Sequence, residues 1–321
     1  MGTNISTLKP NSIDHIVFSG GSVKAIAHCG AITALHKRGL LYDSNNKLIV
    51  KSFAGTSAGS IIASLVAIGY LPDELCTIMR SLDFEKLVET ENRFTELYNL
   101  AEKIGAHTGS ALYESLGSLI ATKTGNKDYT IQQLFNDKGV TLVITTTDLN
   151  CQKTVYFYPN HNDKLYRDVP IRLAIRMSMS IPGFFCPVIY DGNYHIDGGI
   201  LNNYPIRVFD GSVPDDEKAY RGDCQPNTRV IGFNIITDHD LTTCKGKQRD
   251  EITGWSTFLP LLVNVGMIDN IRKELNKADL ARTISIITPD ISPIRFNITD
   301  KEKDELIRIG MDSVDKYFMH Q

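Results

Sequence analysis

The chain is short of most features that announce a function. Its six cysteines (Cys29, Cys76, Cys151, Cys186, Cys224 and Cys244) stand at least 20 positions apart in 321 residues. No C-x-x-C or Cys/His cluster offers a ligand set for zinc, and the density is far below that of a disulfide scaffold, so no metal is expected and a reducing compartment fits. The first 20 residues carry no apolar signal core. The longest apolar stretches, residues 61–71 and 258–268, fall short of the roughly 18 residues that a membrane span needs. An excess of one charge is also missing: 34 Lys+Arg against 37 Asp+Glu leave a formal net charge of −3. That balance argues against a nucleic-acid partner, which calls for a basic face, and against a global pull towards anionic membranes. With 24 Gly, 12 Pro and 42% hydrophobic residues, the composition is neither disordered nor repetitive. These absences predict a cytoplasmic protein that no N-terminal signal exports.

The first residues hold one targeting pattern. Met1-Gly2-Thr3-Asn4-Ile5-Ser6 fits the M-G-x-x-x-[ST] signature for myristoylation at Gly2. One myristoyl chain binds membranes only marginally, and Lys9 alone is no polybasic partner. Peripheral membrane contact is therefore left as an option. Residues 1–12 read as a flexible N-terminal segment.

From there, strands and helices alternate. Apolar or β-branched runs at 13–19, 48–54, 140–147, 154–158, 229–237 and 283–288 predict strands, with a hairpin-like stretch at 194–196 punctuated by Gly192 and Gly198. Helical patterns span 23–39, 57–70, 73–83, 93–103, 110–122, 168–180, 255–281 and 300–318, and the helix 168–180 is expected to stop before Pro182. The first helix has a buried stripe of mostly Ala and Gly, which lets its axis sit close to a sheet. Polar stretches at 211–228 and 238–253 read as loops. The alternation predicts an α/β fold around a mainly parallel sheet covered on both faces. Residues 13–210 form its core, and 211–321 complete the same domain.

Three motifs carry chemistry. Gly55-Thr56-Ser57-Ala58-Gly59 joins a strand to a helix through G-x-S-x-G, the nucleophile-elbow pattern. A Cβ at Gly55 or Gly59 would crowd the sharp turn, and Ser57 stands where free helix amides favour a developing anion. Upstream, Ser19-Gly20-Gly21-Ser22-Val23-Lys24 leads from the first strand into its helix. Small residues there point several N–H groups into one concavity, an oxyanion hole in an acyl-transfer enzyme, with Lys24 supporting the loop. Neither G-x-G-x-x-G nor G-x-x-x-x-G-K-[ST] is present, which disfavours a nucleotide. Third, Asp197-Gly198-Gly199 follows a short apolar strand and presents a carboxylate with room for a neighbouring serine. All three coincide in about three per thousand shuffled chains.

Together they resemble the patatin-like phospholipases, whose pattern is G-G-G-x-[KR]-G, then G-x-S-x-G, then D-G-[GA]. The resemblance runs from about His15 to Arg207 and includes Ala27-His28-Cys29-Gly30-Ala31, Thr145-Thr146-Thr147-Asp148-Leu149 and the segment 174–185 before the aspartate. It implies a three-layer α/β/α fold and a cofactor-free lipid acyl hydrolase of phospholipase A type. By this resemblance Ser57 is the nucleophile, Asp197 its proton acceptor, and the amides around Gly20, Gly21 and Ser22 the oxyanion hole. The substrate is then a phospholipid or other acyl-lipid; the sequence names no activating protein. Two positions depart from the pattern: Ser22 replaces the third glycine and Ala25 the glycine after the basic residue. A positive φ at Ser22 would cost about 1–2 kcal/mol.

A dyad without imidazole predicts activity that persists further into acid than a histidine triad allows. Two rivals stay open. One is an α/β-hydrolase triad of Ser57 with a later Asp and His239 or His320, in which His28 and His195 only pack. The other is a non-catalytic protein that uses the same fold to bind a lipid or partner.

Overall fold

A computed structural model describes residues 13–88, 93–237, 275–292 and 295–319. Gly2 with the segment 1–12, the loop 238–253, most of the expected helix 255–281, and His239 and His320 lie outside the described residues.

Eight strands form one sheet: β1 (His15–Phe18), β2 (Ser52–Thr56), β4 (Thr141–Asp148), β5 (Lys153–Phe157), β7 (Val188–Tyr190), β8 (Asn193–Asp197), β9 (Val230–Thr237) and β10 (Thr283–Thr288). The short strands β3 (Gly105–His107) and β6 (Gly183–Phe185) pair separately. The main order is β10-β9-β1-β2-β4-β8-β7, with β5 beside β4. β10, β9, β1, β2 and β4 are mutually parallel. From β1 the chain builds towards β2 and β4, then returns to lay β9 on β1's other edge. Such a reversal opens a crevice beyond the carboxyl ends of the strands.

Strand side chains alternate between two apolar layers. Ile16, Phe18, Phe53, Leu142 and Ile144 face the helices α1 (Ala27–Lys37) and α2 (Ala58–Ile68) and their neighbours. Val17, Ala54, Val143 and Val230 face a smaller layer built from Tyr156, Tyr204, Ile206 and Val208. The short helices Gly199–Asn202 and Lys277–Ala281 flank that second face. The result is a three-layer α/β/α fold with a mainly parallel sheet. Buried ion pairs bind its C-terminal part to the core: Arg282 meets Asp210 at 2.5 Å and Asp279 at 2.9 Å, and Arg207 meets Asp279 at 2.7 Å. No helix among the described residues is long and apolar enough to cross a membrane.

Several elements differ from the sequence reading. The helix expected from residue 23 begins as a 3-10 turn over Ser22–Ile26. The second strand runs to Thr56, because the sharp turn is taken at Ser57. The helix expected at 168–180 is shorter, Ile171–Ser178, with Pro170 extended as its N-cap, and a separate turn of helix, Lys164–Arg167, precedes it. Helix Ile131–Lys138 was not anticipated, although Thr130 and Gln133 form a capping box at its start. A helical turn, Glu217–Arg221, interrupts the stretch read as a loop.

The small-residue stripe of α1 also has another partner than the sheet. A Cβ on Gly30 would run into the carbonyl oxygen of Ile307, and one on Gly310 into that of Ala27. The helix Asp300–Met319 thus crosses α1 backbone to backbone. In an exposed helix, Gly→Ala stabilises by about 1 kcal/mol. Here the sign should reverse, since overpacking of this kind costs about 1–3 kcal/mol. Gly30→Ala should therefore lower the urea midpoint, and a raised midpoint would show that the two helices do not meet at this point.

Candidate active site

The site arises where two strands share one edge of β4. β2 pairs along it until Thr56 stands opposite Thr145, and β8 takes over antiparallel with Asp197 opposite Thr146. β5 occupies the other edge. The two strands thus point at each other end to end, and the residues at their tips meet. Ser57 Oγ donates to Asp197 Oδ2 at 2.7 Å, and the Gly199 N–H donates to Oδ1 at 2.7 Å.

Ser57 takes φ 52° and ψ −130°, a strained conformation for a residue with a side chain. The glycines around it make that turn physically available. A Cβ on Gly55 would lie 2.5 Å from the Gly59 carbonyl oxygen; one on Gly59 would strike the Ser19 carbonyl, and one on Gly198 that of Thr145. Ser60 Oγ closes the turn on the Ser57 carbonyl at 2.5 Å.

The glycine loop lies alongside, and its members have separate parts. The Gly20 N–H donates to the Asn203 carbonyl at 3.0 Å, so Gly20 is not available as an oxyanion donor. Its contribution is space, since a Cβ there would strike Asn203 Oδ1 and come within 3.1 Å of Ser57 Cβ. The Gly21 N–H makes no hydrogen bond among the described residues, while its carbonyl accepts from Lys24 N at 3.0 Å. Ser22 has φ 51°, so the strain expected at the departure from glycine is present. Ala25 is buried in the 3-10 turn, where small size is what matters. Lys24 sits half-buried on the same turn.

Among the described residues no cation stands beside the pair. Asp197 is fully buried, and burial pushes its carboxyl up to about 7 against the pull of the Ser57 and Gly199 hydrogen bonds. A carboxylate with that pKa is a far better base for a hydroxyl than an ordinary one. The same burial works against the advantage in acid expected of such a pair, because a base with a pKa of about 7 would be lost at much the same pH as an imidazole. Among the described residues no histidine bonds Ser57 Oγ. His195 lies on β8, its Nδ1 3.2 Å from Thr146 Oγ1, and His28 bonds the Ser19 carbonyl at 3.0 Å.

Several positioning residues escaped the sequence reading. Ser178 Oγ accepts from Ser57 N at 2.7 Å and donates to the Thr145 carbonyl at 2.6 Å. Ser180 O accepts from Asp197 N at 2.9 Å. Arg176, beneath them, reaches Ser180 Oγ and the carbonyls of Thr108 and Cys186 at 2.6–2.8 Å. Thr56 Oγ1 bonds the Asn202 carbonyl at 3.0 Å. The only local hint was the run of serines before Pro182. Beside the site lies an apolar cavity of about 520 Å³ including its mouth. Its lining includes Ile61, one helical turn beyond Ser57, and Met179, next to Ser178, together with Leu112, Leu116 and Phe185.

Comparison with known proteins gives a consistent result. Residues 16–210 match the family described as patatin-like phospholipase. An uncharacterized protein of Acanthamoeba polyphaga mimivirus is 30% identical over 96% of this chain and 94% of its own. A probable lipid hydrolase of invertebrate iridescent virus 6 is 27% identical over 94% of this chain and 91% of its own. Among solved structures, VipD from Legionella pneumophila superposes with a TM-score of 0.58 at 16% identity, over 96% of this chain and 67% of that one, a likeness of fold.

The buried carboxyl has a cost that can be measured. An aspartate titrates near 3.9 in an unfolded chain, and Asp197 near 7 in the folded one. Between those values the folded chain holds the proton more tightly. The stabilisation from Asp197 is therefore full below about pH 4 and is lost as pH rises through about 7. Asp197→Asn is blind to this titration. Its thermal midpoint relative to wild type should climb from pH 4 to pH 8, by an amount on the order of a few kcal/mol in stability. A difference that stays flat across the range would mean that Asp197 is solvated.

Proposed function

The chain belongs to the patatin-like phospholipase family, and from that premise we propose that it is a lipid acyl hydrolase of phospholipase A type, cleaving carboxylic esters of phospholipids through Ser57 and Asp197. The observation that carries this reading is the buried 2.7 Å hydrogen bond from Ser57 Oγ to a carboxylate without a cation beside it.

In the reaction, Asp197 accepts the Ser57 proton as Oγ attacks the ester carbonyl. The tetrahedral oxyanion lies against the amides of Gly21 and Ser22 at the positive end of the following helix, with Lys24 supporting the loop. Collapse expels the lysolipid alkoxide, which takes the proton back from Asp197 and leaves an acyl-serine. Water then gives a proton to Asp197 and its oxygen to the acyl carbon; a second collapse releases the fatty acid and restores the serine. No cofactor enters these steps.

Two further observations support a lipid as substrate. One relative is named a probable lipid hydrolase and matches over nearly its whole length. The apolar cavity beginning one helical turn from Ser57 is lined almost wholly by aliphatic and aromatic side chains, fit for an acyl chain and not for a polar leaving group.

Ser57→Ala and Asp197→Asn should each reduce hydrolysis of a defined phospholipid by at least about 10³, with free fatty acid and lysolipid as the wild-type products by mass. A fluorophosphonate should label wild-type Ser57. Since the base must be ionised, kcat/KM should rise with pH through about 7. Full turnover in either variant would end the dyad reading, and an unlabelled wild-type serine would favour a binding protein.

A further inference from the structure

His28 is completely buried in α1, and the reaction above does not use it. Its ring lies edge-on to Phe18 at 5.1 Å and tilted against Phe233 at 6.4 Å, a setting that a phenylalanine would fill equally well. One polar contact distinguishes it. Nε2 lies 3.0 Å from the Ser19 carbonyl oxygen, while Nδ1 is buried with no hydrogen-bond partner among the described residues. A carbonyl can only accept, so the proton sits on Nε2. Burial pushes the imidazole down to about 4, which keeps the ring neutral at working pH.

The Ser19 carbonyl and the Gly20 N–H belong to one peptide unit. His28 holds the oxygen side of that unit, and the Asn203 carbonyl holds the nitrogen side at 3.0 Å. The next peptide unit carries the Gly21 N–H. Ser19 itself is anchored to β9, its N–H on the Phe233 carbonyl at 3.0 Å and its Oγ accepting from Ile235 N at 2.9 Å. Beyond it come two glycines with little intrinsic stiffness, and then Ser22 at a strained φ. With one side of the 19–20 unit released, rotation about the glycine bonds would relieve that strain and swing the Gly21 amide away.

We infer that His28 is a positioning residue for the glycine loop: its imidazole donates to the Ser19 carbonyl and so keeps the Gly21 N–H aimed at the reacting carbonyl oxygen. The inference rests on the Ser57 reading, and the test separates the two. His28→Phe preserves the ring packing and removes the donor; His28→Gln restores a donor. kcat and KM for a short soluble p-nitrophenyl ester, the rate of fluorophosphonate labelling of Ser57, and the thermal midpoint are measured for each. His28→Phe should lower kcat and labelling rate by at least about ten-fold, approaching the 10²–10³ of an outright donor loss. KM should stay within about two-fold, with His28→Gln recovering most of the rate. The midpoint of His28→Phe should fall because the buried Ser19 carbonyl loses its donor, yet the variant should stay folded at the assay temperature. If His28→Phe does not fold, His28→Leu makes the same comparison. Unchanged labelling in the donor-less variant, or a glutamine variant as slow as it, would overturn the inference while leaving the Ser57 reading intact. A wild-type serine that takes no label would remove both.

Discussion

A carboxylate excluded from water, with no cation beside it among the described residues, is the constraint on which the rest of this molecule turns. Among the described residues the Asp197 carboxyl accepts two hydrogen bonds, from Ser57 Oγ and Gly199 N, both at 2.7 Å. In a low-dielectric interior such a group prefers its proton, and in the proposed reaction that preference would strengthen it as a base. The sheet supplies the means: β2 and β8 end head to head on one edge of β4, so neither side chain has to reach.

Such an arrangement has to be held against strain. Ser57 and Ser22 both adopt positive φ, each a conformation disfavoured by about 1–2 kcal/mol for a residue with a Cβ. The compensation is a set of clamps from the chain on either side of Asp197. Ser178 grips the elbow amide, Asn202 the Thr56 hydroxyl and Asn203 the Gly20 amide, while Ser180 carries the Asp197 amide. Because these clamps come from the segment 178–203, Ser57, the glycine loop and Asp197 form one unit. A displacement of the segment would disturb all three, which explains why the close glycine contacts at Gly59 and Gly198 leave no slack.

What could be read from the sequence was what is encoded over a few adjacent residues. G-x-S-x-G and D-G-G each need small residues for steric reasons, so Ser57, Asp197 and their glycines stood out, as did the alternation that yields the α/β layers. The clamps did not, since Ser57–Ser178 and Thr56–Asn202 bond across 121 and 146 residues. A serine or asparagine at such a position has no local signature. Gly20 was legible as a loop glycine but not as spacer rather than donor, because the Asn203 carbonyl that takes its N–H is distant in sequence. The helix expected over 168–180 is present but starts later for a local reason: Pro170 is extended as its N-cap, so the helix begins at Ile171.

The two departures from the family pattern now separate physically. Ala25 is packed inside the 3-10 turn, where its methyl fits and no unusual backbone angle is required. Ser22 bears the whole burden, at φ 51°. A third glycine would remove that strain but would also loosen a loop that already contains Gly20 and Gly21, whereas serine narrows the loop's freedom and relies on its surroundings to hold it. Those surroundings are the Ser19–Gly20 peptide unit and its two holders, His28 and Asn203. The substitution thus exchanges intrinsic flexibility for dependence on tertiary contacts, and the integrity of the oxyanion loop becomes a property of α1 and the 178–203 segment as much as of the loop itself.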